Sequence, residues 1–260
     1  MTLPVIDCHA HLADGRLLPR LHEVLERSRR NGLVRVLANA ARLSEFDSIA
    51  AMASADVKVA FGIHPFWPEE WPPARKALEE ALKANPAASV GEIGLDFYSG
   101  RDNQQAQETA FAEQLTLALE YGRPVCLHNR KAWQQFFGIL KTLRVSGLRG
   151  YMHNFTGSRE IASKLLDLGL HISFAAPVTY PEAHRLREVS VFIPTERLLT
   201  ETDCPDLPYA KGELTEPWQA ANVLHTLASA HGISTEALAE QVWLNFNNVF
   251  ELEDKSCSRN

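Results

Sequence analysis

Short apolar runs rich in β-branched residues recur along the chain, and segments of a different pattern separate them. The runs are bounded by turn residues, which is typical of buried strands. Several of the separating segments repeat apolar residues at three- and four-residue spacing, which predicts helices, most clearly at 17–27, 105–121 and 160–168. A glycine follows each of these three segments, as at many helix ends. The predicted strands begin near Pro4, Val34, Val57, Ala88, Pro124, Leu148, Leu170 and Arg197.

These strands recur at intervals of roughly 20 to 36 residues, enough for one strand, one helix and two loops. The alternation predicts an α/β fold with a parallel sheet, either an open doubly wound sheet or a closed (β/α)8 TIM barrel. Eight units within 260 residues is the usual size of the barrel, and no G-x-G-x-x-G follows the first strand. We therefore expect one barrel domain over 1–250 and a flexible polar tail at 251–260.

Composition excludes several classes of protein. Hydrophobic residues make up 45% and charged residues 22% of the chain, as in ordinary globular proteins. A net charge of −6 argues against broad coating of nucleic acid, although a local basic pocket stays possible. No apolar stretch approaches the roughly 20 residues that cross a membrane, and no signal peptide is evident. The four cysteines lack C-x-x-C spacing, so we expect reduced thiols. Without a membrane segment or a signal peptide the expected location is cytoplasmic, and we expect a monomer.

Candidate metal ligands stand at the C-terminal ends of the predicted strands. His9 and His11 end the first strand, where alternation places both side chains on one face. In a barrel the C-terminal strand ends ring a single mouth, where active sites of this fold are built. The same position on later strands is taken by Glu92 (fourth), His128 (fifth), His153 (sixth) and Asp203 (eighth).

Four histidines and two carboxylates are too many ligands for one tetrahedral ion, but they suit two ions bridged by a carboxylate. Glu92 is the candidate bridge. Mixed imidazole and carboxylate ligation suits Zn, Mn, Co or Fe, and open positions also admit Mg. Any one of these residues would more often be an ordinary core or surface residue, so the prediction depends on their recurrence at strand ends.

Other residues near the same mouth have weaker signals. Asp7 and Glu201 lie two positions before candidate ligands and could orient an imidazole or simply be buried, hydrogen-bonded carboxylates. His64 follows the third strand, and we interpret it as a substrate contact or proton donor rather than a ligand. Arg130, two residues after His128, suits a phosphate oxygen, with a rim salt bridge as the alternative.

Side chains of two further types remain ambiguous. Cys8 and Cys204 adjoin candidate ligands, but alternation turns them away from the ligand face. Aromatic residues in loops over the mouth could stack on nucleobases or cap the barrel; they are Phe66, Trp67, Phe97 and Tyr98. The other histidines are expected to be surface or packing residues: His22, His171, His184, His225 and His231.

Six motifs together resemble the TatD-like metal-dependent hydrolases, a branch of the amidohydrolase-like barrels associated with DNase activity. They are Asp7-Cys8-His9-Ala10-His11-Leu12, Gly62-Ile63-His64-Pro65, Gly91-Glu92-Ile93-Gly94-Leu95-Asp96, Leu127-His128-Asn129-Arg130, His153-Asn154-Phe155-Thr156-Gly157-Ser158 and Glu201-Thr202-Asp203-Cys204-Pro205. The resemblance implies that one metal is held by His9, His11, Glu92 and Asp203, and the other by Glu92, His128 and His153. A bridging glutamate is itself diagnostic, because many related barrels use a carboxylated lysine there.

The chain departs from the family pattern in its last third. Only Glu216-Pro217 remains of an Arg-Asn-Glu-Pro-type stretch, and the late Asn-Thr-x-x-Leu-Phe-type motif appears as Asn245-Phe246-Asn247-Asn248-Val249-Phe250. These departures leave the metal ligands intact. They put the preference for substrate and partner in doubt.

The expected function is hydrolysis of phosphodiester bonds by two divalent ions (Mg, Mn or Zn), as a 3'–5' exonuclease acting on DNA ends. Asp203, Glu92 and His64 are the predicted catalytic residues, and His64 and Arg130 the predicted substrate contacts. The first alternative is a metal-dependent amide, ester or lactone hydrolase, because metals polarise carbonyl and phosphoryl oxygens alike. The second is a barrel that binds metal or a partner without catalysis, which missing ligands would have favoured.

Overall fold

A computed structural model describes residues 3–209 and 212–250, so the predicted tail at 251–260 lies outside the described residues. Within that part of the chain, strands and helices alternate as the apolar pattern predicts. The strands are β1 (Val5–Ala10), β2 (Leu33–Asn39), β3 (Val57–Phe61), β4 (Ser89–Asp96), β5 (Val125–Arg130), β6 (Gly150–Met152), β7 (His171–Phe174) and β8 (Leu198–Thr200).

The strands form one sheet in the order β1 to β8, and every neighbouring pair is parallel. A parallel bridge between Ala10 and Cys204 joins the first strand to the chain after the last, and the amide of Asp203 donates to the carbonyl of His9 over 3.0 Å. The sheet therefore closes on itself. The predicted (β/α)8 TIM barrel is confirmed, and the open doubly wound sheet is excluded.

Helices surround the strands and cover the outer face of the sheet. They are α1 (Leu21–Arg30), α2 (Phe46–Met52), α3 (Trp71–Ala84), α4 (Gln104–Glu120), α5 (Trp133–Thr142), α6 (Arg159–Asp167), α7 (His184–Phe192), α8 (Ala220–His231) and α9 (Thr235–Phe250). The first predicted helix starts late, because a 3-10 turn at Leu18–Arg20 with Pro19 precedes it. No helix among the described residues is long and apolar enough to cross a membrane.

Two glycines bring β4 close to β5. A side chain at Gly91 would meet the Cβ of Cys126 at 2.4 Å, and one at Gly94 would overlap the carbonyl oxygen of His128. Gly94 also has a φ of +153°, which disfavours other residues. The two strands can therefore approach closely enough to set Glu92 beside His128.

Several strands end before the apolar runs of the sequence do, so some predicted strand-end residues lie just beyond a strand. Glu92 and His128 lie within strands, whereas His153 directly follows β6 and His64 follows β3 by three residues. Asp203 lies three residues beyond β8 with a φ of +60°, a left-handed conformation that is rare for residues other than glycine. The loops immediately above the barrel thus share in building the mouth.

Candidate metal centre

Glu92 lies at the centre of the mouth and is almost completely buried, with 1% of its surface exposed. Its Oε2 atom is 3.1 Å from His9 Nε2 and 3.2 Å from His11 Nε2. Its Oε1 atom is 2.8 Å from His128 Nδ1 and 3.1 Å from His153 Nε2. The two oxygens of one carboxylate therefore face two separate pairs of histidines.

Asp203 completes the group around Oε2. Its Oδ1 atom lies 3.4 Å from His11 Nε2 and 3.9 Å from His9 Nε2. His9, His11 and Asp203 offer ligand atoms within 4.8 Å of one another, and so do His9, Glu92 and His153. The structure thus brings all six predicted ligands together in one cluster.

Three of the imidazoles have their second ring nitrogen held by a neighbour. His128 Nε2 is 3.0 Å from Asp96 Oδ2, and His153 Nδ1 is 3.1 Å from Glu201 Oε1. His9 Nδ1 is 2.9 Å from the hydroxyl of Tyr151, which itself donates to a backbone carbonyl. Such contacts fix the orientation of the ring and leave the other nitrogen free as a ligand.

Asp96 and Tyr151 were not among the predicted site residues. Both had a signal in the alternation: Asp96 shares the face of β4 with Glu92, and Tyr151 lies two residues before His153. Of the two predicted supports, Glu201 contacts His153, whereas Asp7 bonds to Thr202 and to the amide of His9. Asp7 therefore holds the backbone around His9 and Thr202 in place and does not orient an imidazole ring.

The electrostatics of the cluster favour positive charge at its centre. Burial opposes protonation of His11 and His153, but their carboxylate neighbours outweigh it and hold both pKa values well above the usual range. Burial would also raise the pKa of Glu92, yet the histidines keep it well below its ordinary value. The Glu92 carboxylate is thus charged at neutral pH, and its negative charge would attract a cation that the surrounding ligand atoms could bind.

His64 also approaches Glu92, with Nε2 3.4 Å from Oε1, and its ligand atom clusters with those of Glu92 and His128. However, His64 Nδ1 accepts the backbone N–H of Phe66 over 3.1 Å. Burial lowers its pKa to about 4, so the ring is neutral and its one proton lies on Nε2. His64 therefore presents a donor, not a lone pair, to the mouth.

A cavity of about 470 Å³ opens above the cluster, and Arg130 is part of its wall. The Arg130 guanidinium lies 3.6 Å from the ring centre of Tyr98. Within residues 3–209 and 212–250 it has no carboxylate within salt-bridge distance, so the alternative of a rim salt bridge is not observed. Phe66 and Trp67 also line this cavity, whereas Phe97 is buried.

Among the described residues, the cysteines and the remaining histidines do not join the cluster. Cys8 is buried with its sulfur 3.6 Å from Glu201, and Cys204 is buried beside the closing bridge.

A wider groove of about 770 Å³ lies on the outside of the barrel, where α7 and α8 meet. His184 and His225 line it, and none of the predicted site residues does.

The donors present fit divalent ions. Imidazole nitrogens and carboxylate oxygens are the ligands of Zn and Mn, and a bridging carboxylate is typical of paired ions. The oriented rings of His9, His128 and His153 meet the further requirement that ligating histidines be held from behind. The centre is therefore a candidate metal site on its chemistry alone.

The comparisons with known proteins agree with this geometry. The family model of TatD-related DNases matches residues 6–251. The chain belongs to this family. It is 31% identical to the uncharacterized metal-dependent hydrolase YcfH of Escherichia coli K12, with 96% of each chain covered. It is 34% identical to the 3'-5' ssDNA/RNA exonuclease TatD of Klebsiella pneumoniae strain 342, covering 96% of this chain and 98% of that one.

Among solved structures, the TatD homologue YjjV of Escherichia coli K12 superposes with a TM-score of 0.88 at 30% identity, covering 97% of this chain and all of that one. As a member of the TatD-related DNases, the protein is a metal-dependent hydrolase, which excludes the interpretation as a non-catalytic barrel.

Glu216, retained from a family stretch, bonds Arg27 over 2.5 Å and caps a turn with Gln219. Its observed contacts are structural.

Proposed function

We propose that this TatD-family hydrolase cleaves phosphodiester bonds with two divalent ions, as a 3'–5' exonuclease on DNA ends. One ion is held by His9, His11, Glu92 and Asp203, and the other by Glu92, His128 and His153. The observation that carries the proposal is that the two carboxylate oxygens of Glu92 face different pairs of histidines. Oε2 faces His9 and His11, and Oε1 faces His128 and His153. One carboxylate so placed can serve both ions.

Divalent ions at this position lower the pKa of a water nucleophile and neutralise charge on phosphoryl oxygens. Around them the chain supplies two contacts to the phosphate. His64 donates from Nε2, because the amide of Phe66 occupies Nδ1. Arg130 offers a guanidinium without a carboxylate partner among the described residues, so its charge is available to a phosphate oxygen.

Asp203 is the proposed proton carrier. Its side chain is 15% exposed, more than that of Glu92, and it lies at the edge of the cluster. Its Oδ atoms accept the proton of the attacking water and return it to the leaving oxygen. Glu92, enclosed by histidines, stays ionised and holds the centre together.

Nuclease activity is supported over carbonyl hydrolysis by Arg130, which has no carboxylate partner within residues 3–209 and 212–250, and by the relative named as an exonuclease. A mouth sunk between barrel loops also admits a strand terminus more readily than the middle of a duplex. The single domain over 1–250, the monomeric state and the cytoplasmic location remain predictions.

The test is hydrolysis of end-labelled DNA, single- and double-stranded, by purified protein loaded with Mg, Mn or Zn. We expect mononucleotides to be released in sequence from the 3' end of single strands, and the Glu92→Gln variant to release none. A panel of nitrophenyl phosphodiesters, carboxylic esters and lactones runs in parallel. Turnover of esters or lactones without turnover of either DNA or phosphodiesters would refute the proposal and favour the carbonyl hydrolase.

A further inference from the structure

The aromatic residues around the mouth differ in what covers their rings. Phe97 is 5% exposed, and the partly buried Trp67 has the Arg42 guanidinium 4.8 Å from its ring centre. Tyr98 is 53% exposed, but Arg130 and Lys131 lie 3.6 and 4.5 Å from its ring centre. Phe66, at 52% exposure, has no cation over its ring within residues 3–209 and 212–250.

Phe66 is also fixed beside the candidate metal centre. Its backbone N–H donates to His64 Nδ1, and its ring packs edge-on against the His64 imidazole with ring centres 4.4 Å apart. The ring centre of His128, a candidate ligand, is 6.5 Å away. The exposed Phe66 ring is therefore held in a fixed orientation beside the candidate metal centre, where a base attached to the scissile phosphate would lie.

The surroundings of Phe66 suit a nucleotide rather than a purely apolar group. The Arg130 guanidinium lies over the Tyr98 ring and has no carboxylate within salt-bridge distance among the described residues, so this edge of the cavity offers positive charge. The opposite edge carries Asp14 and Asp206, which share Arg16 between them and leave a net negative charge there. A polyanionic strand is favoured on the first edge and repelled from the second.

We infer that Phe66 stacks on the base next to the scissile phosphate, while Arg130 on Tyr98 receives the neighbouring phosphate of a single strand. This inference rests on the proposed function and names its substrate more closely. The terminal base of a duplex is restrained by its pairing and by stacking on its inner neighbour, so an unpaired end can turn its base onto Phe66 more readily. Stacking on an aromatic ring tolerates any of the four bases, which fits degradation without sequence preference.

The test compares two single-stranded oligonucleotides that differ only in the terminal nucleotide, which carries either a base or a tetrahydrofuran abasic residue. Wild type is expected to favour the base-bearing end by about tenfold or more in kcat/KM. Phe66→Ala is expected to lose most of that preference, chiefly through KM, and Phe66→Trp to keep it. Phe192→Ala removes a phenyl group that is 43% exposed at the end of α7, away from the mouth, and is expected to match wild type.

The outcomes separate the possible roles of Phe66. Equal losses by Phe66→Ala on both oligonucleotides would mean that the ring only supports His64, which overturns the inference. An unchanged preference would overturn it as well. If wild type hydrolyses methyl p-nitrophenyl phosphate but neither oligonucleotide, the proposed nuclease function fails and the inference falls with it. Preference lost by Phe66→Ala and kept by Phe66→Trp supports stacking.

Discussion

Histidines with little solvent exposure lie at both ends of this barrel, and they differ in their neighbours. At the mouth, His11, His128 and His153 each contact carboxylates, and His153 is only 6% exposed. At the opposite end, His171 begins β7, is 7% exposed, and has an Nδ1 without a hydrogen-bond partner among the described residues. Burial alone therefore does not distinguish the two sets.

The difference lies in the charge that each environment favours. Burial opposes protonation of His11, His128 and His153, but carboxylates outweigh it and raise their pKa values. At His171, burial and the nearby Arg197 both lower the pKa, to about 4. Three of the histidines at the mouth therefore favour a positive charge, whereas burial lowers the pKa of His9 and His64 beside them as it does that of His171 at the base. A histidine is a candidate ligand where carboxylates converge on it.

The largest expected effect is the loss of the shared carboxylate. Glu92→Gln keeps the size of the side chain but removes the charge that faces the four histidines of the proposed ligand set. We expect kcat/KM for phosphodiesters to fall by at least about 10³-fold. His171→Phe, at the opposite end, is the control and should stay within about twofold of wild type. Equal losses in both variants would erase the distinction between the two ends.

A smaller loss is expected when the carboxylate behind an imidazole is removed. Asp96→Asn leaves His128 in place but weakens the contact to its Nε2. Because such supports orient the ligand and raise its basicity, we expect metal affinity or activity to fall by about 10- to 100-fold. Titration of the metal-free protein with Mn, followed by activity, measures this. Asp102→Asn, exposed in the following loop, is the matched control; an Asp96→Asn variant with wild-type affinity would contradict the role of Asp96.

The smallest effect concerns stability at the base of the barrel. His171 has a folded-state pKa of about 4, below the unfolded value of roughly 6.5, so the unfolded chain binds its proton first as the pH falls. The stability that His171 contributes by staying neutral is therefore complete above pH about 6.5 and is lost as the pH falls through about 4, at a cost of about 3 kcal/mol. Urea unfolding at two pH values should show a smaller acid loss in His171→Phe than in wild type. An identical acid loss would mean that His171 is not held neutral in the folded protein.

Much of this organisation could be predicted from the sequence, because strand ends in a parallel barrel converge by topology. His9, Glu92 and His128 follow from alternation within strands that the structure contains. Asp203 is harder, since its left-handed backbone beyond β8, and not strand alternation, sets its direction. The tautomer of His64 depends on an amide contact that no spacing reveals.

The rim was the least predictable part. Four loop aromatics looked equivalent in sequence. The burial of Phe97 and the placement of Arg42, Arg130 and Lys131 over Trp67 and Tyr98 distinguish Phe66 from the other three. Asp96 was missed although it shares a strand face with Glu92, because its partner His128 belongs to the next strand. Contacts between loops and across strands carry information that a linear pattern does not.

The central claim is that one carboxylate divides the mouth into two metal sites, and metal stoichiometry tests it most directly. Purified wild-type protein, loaded with Zn or Mn, desalted and measured by elemental analysis, is expected to contain two ions per chain. Glu92→Gln is expected to retain one or none while still folding, as judged by circular dichroism. Wild type that holds at most one ion, or a Glu92→Gln variant that still holds two, would contradict the account.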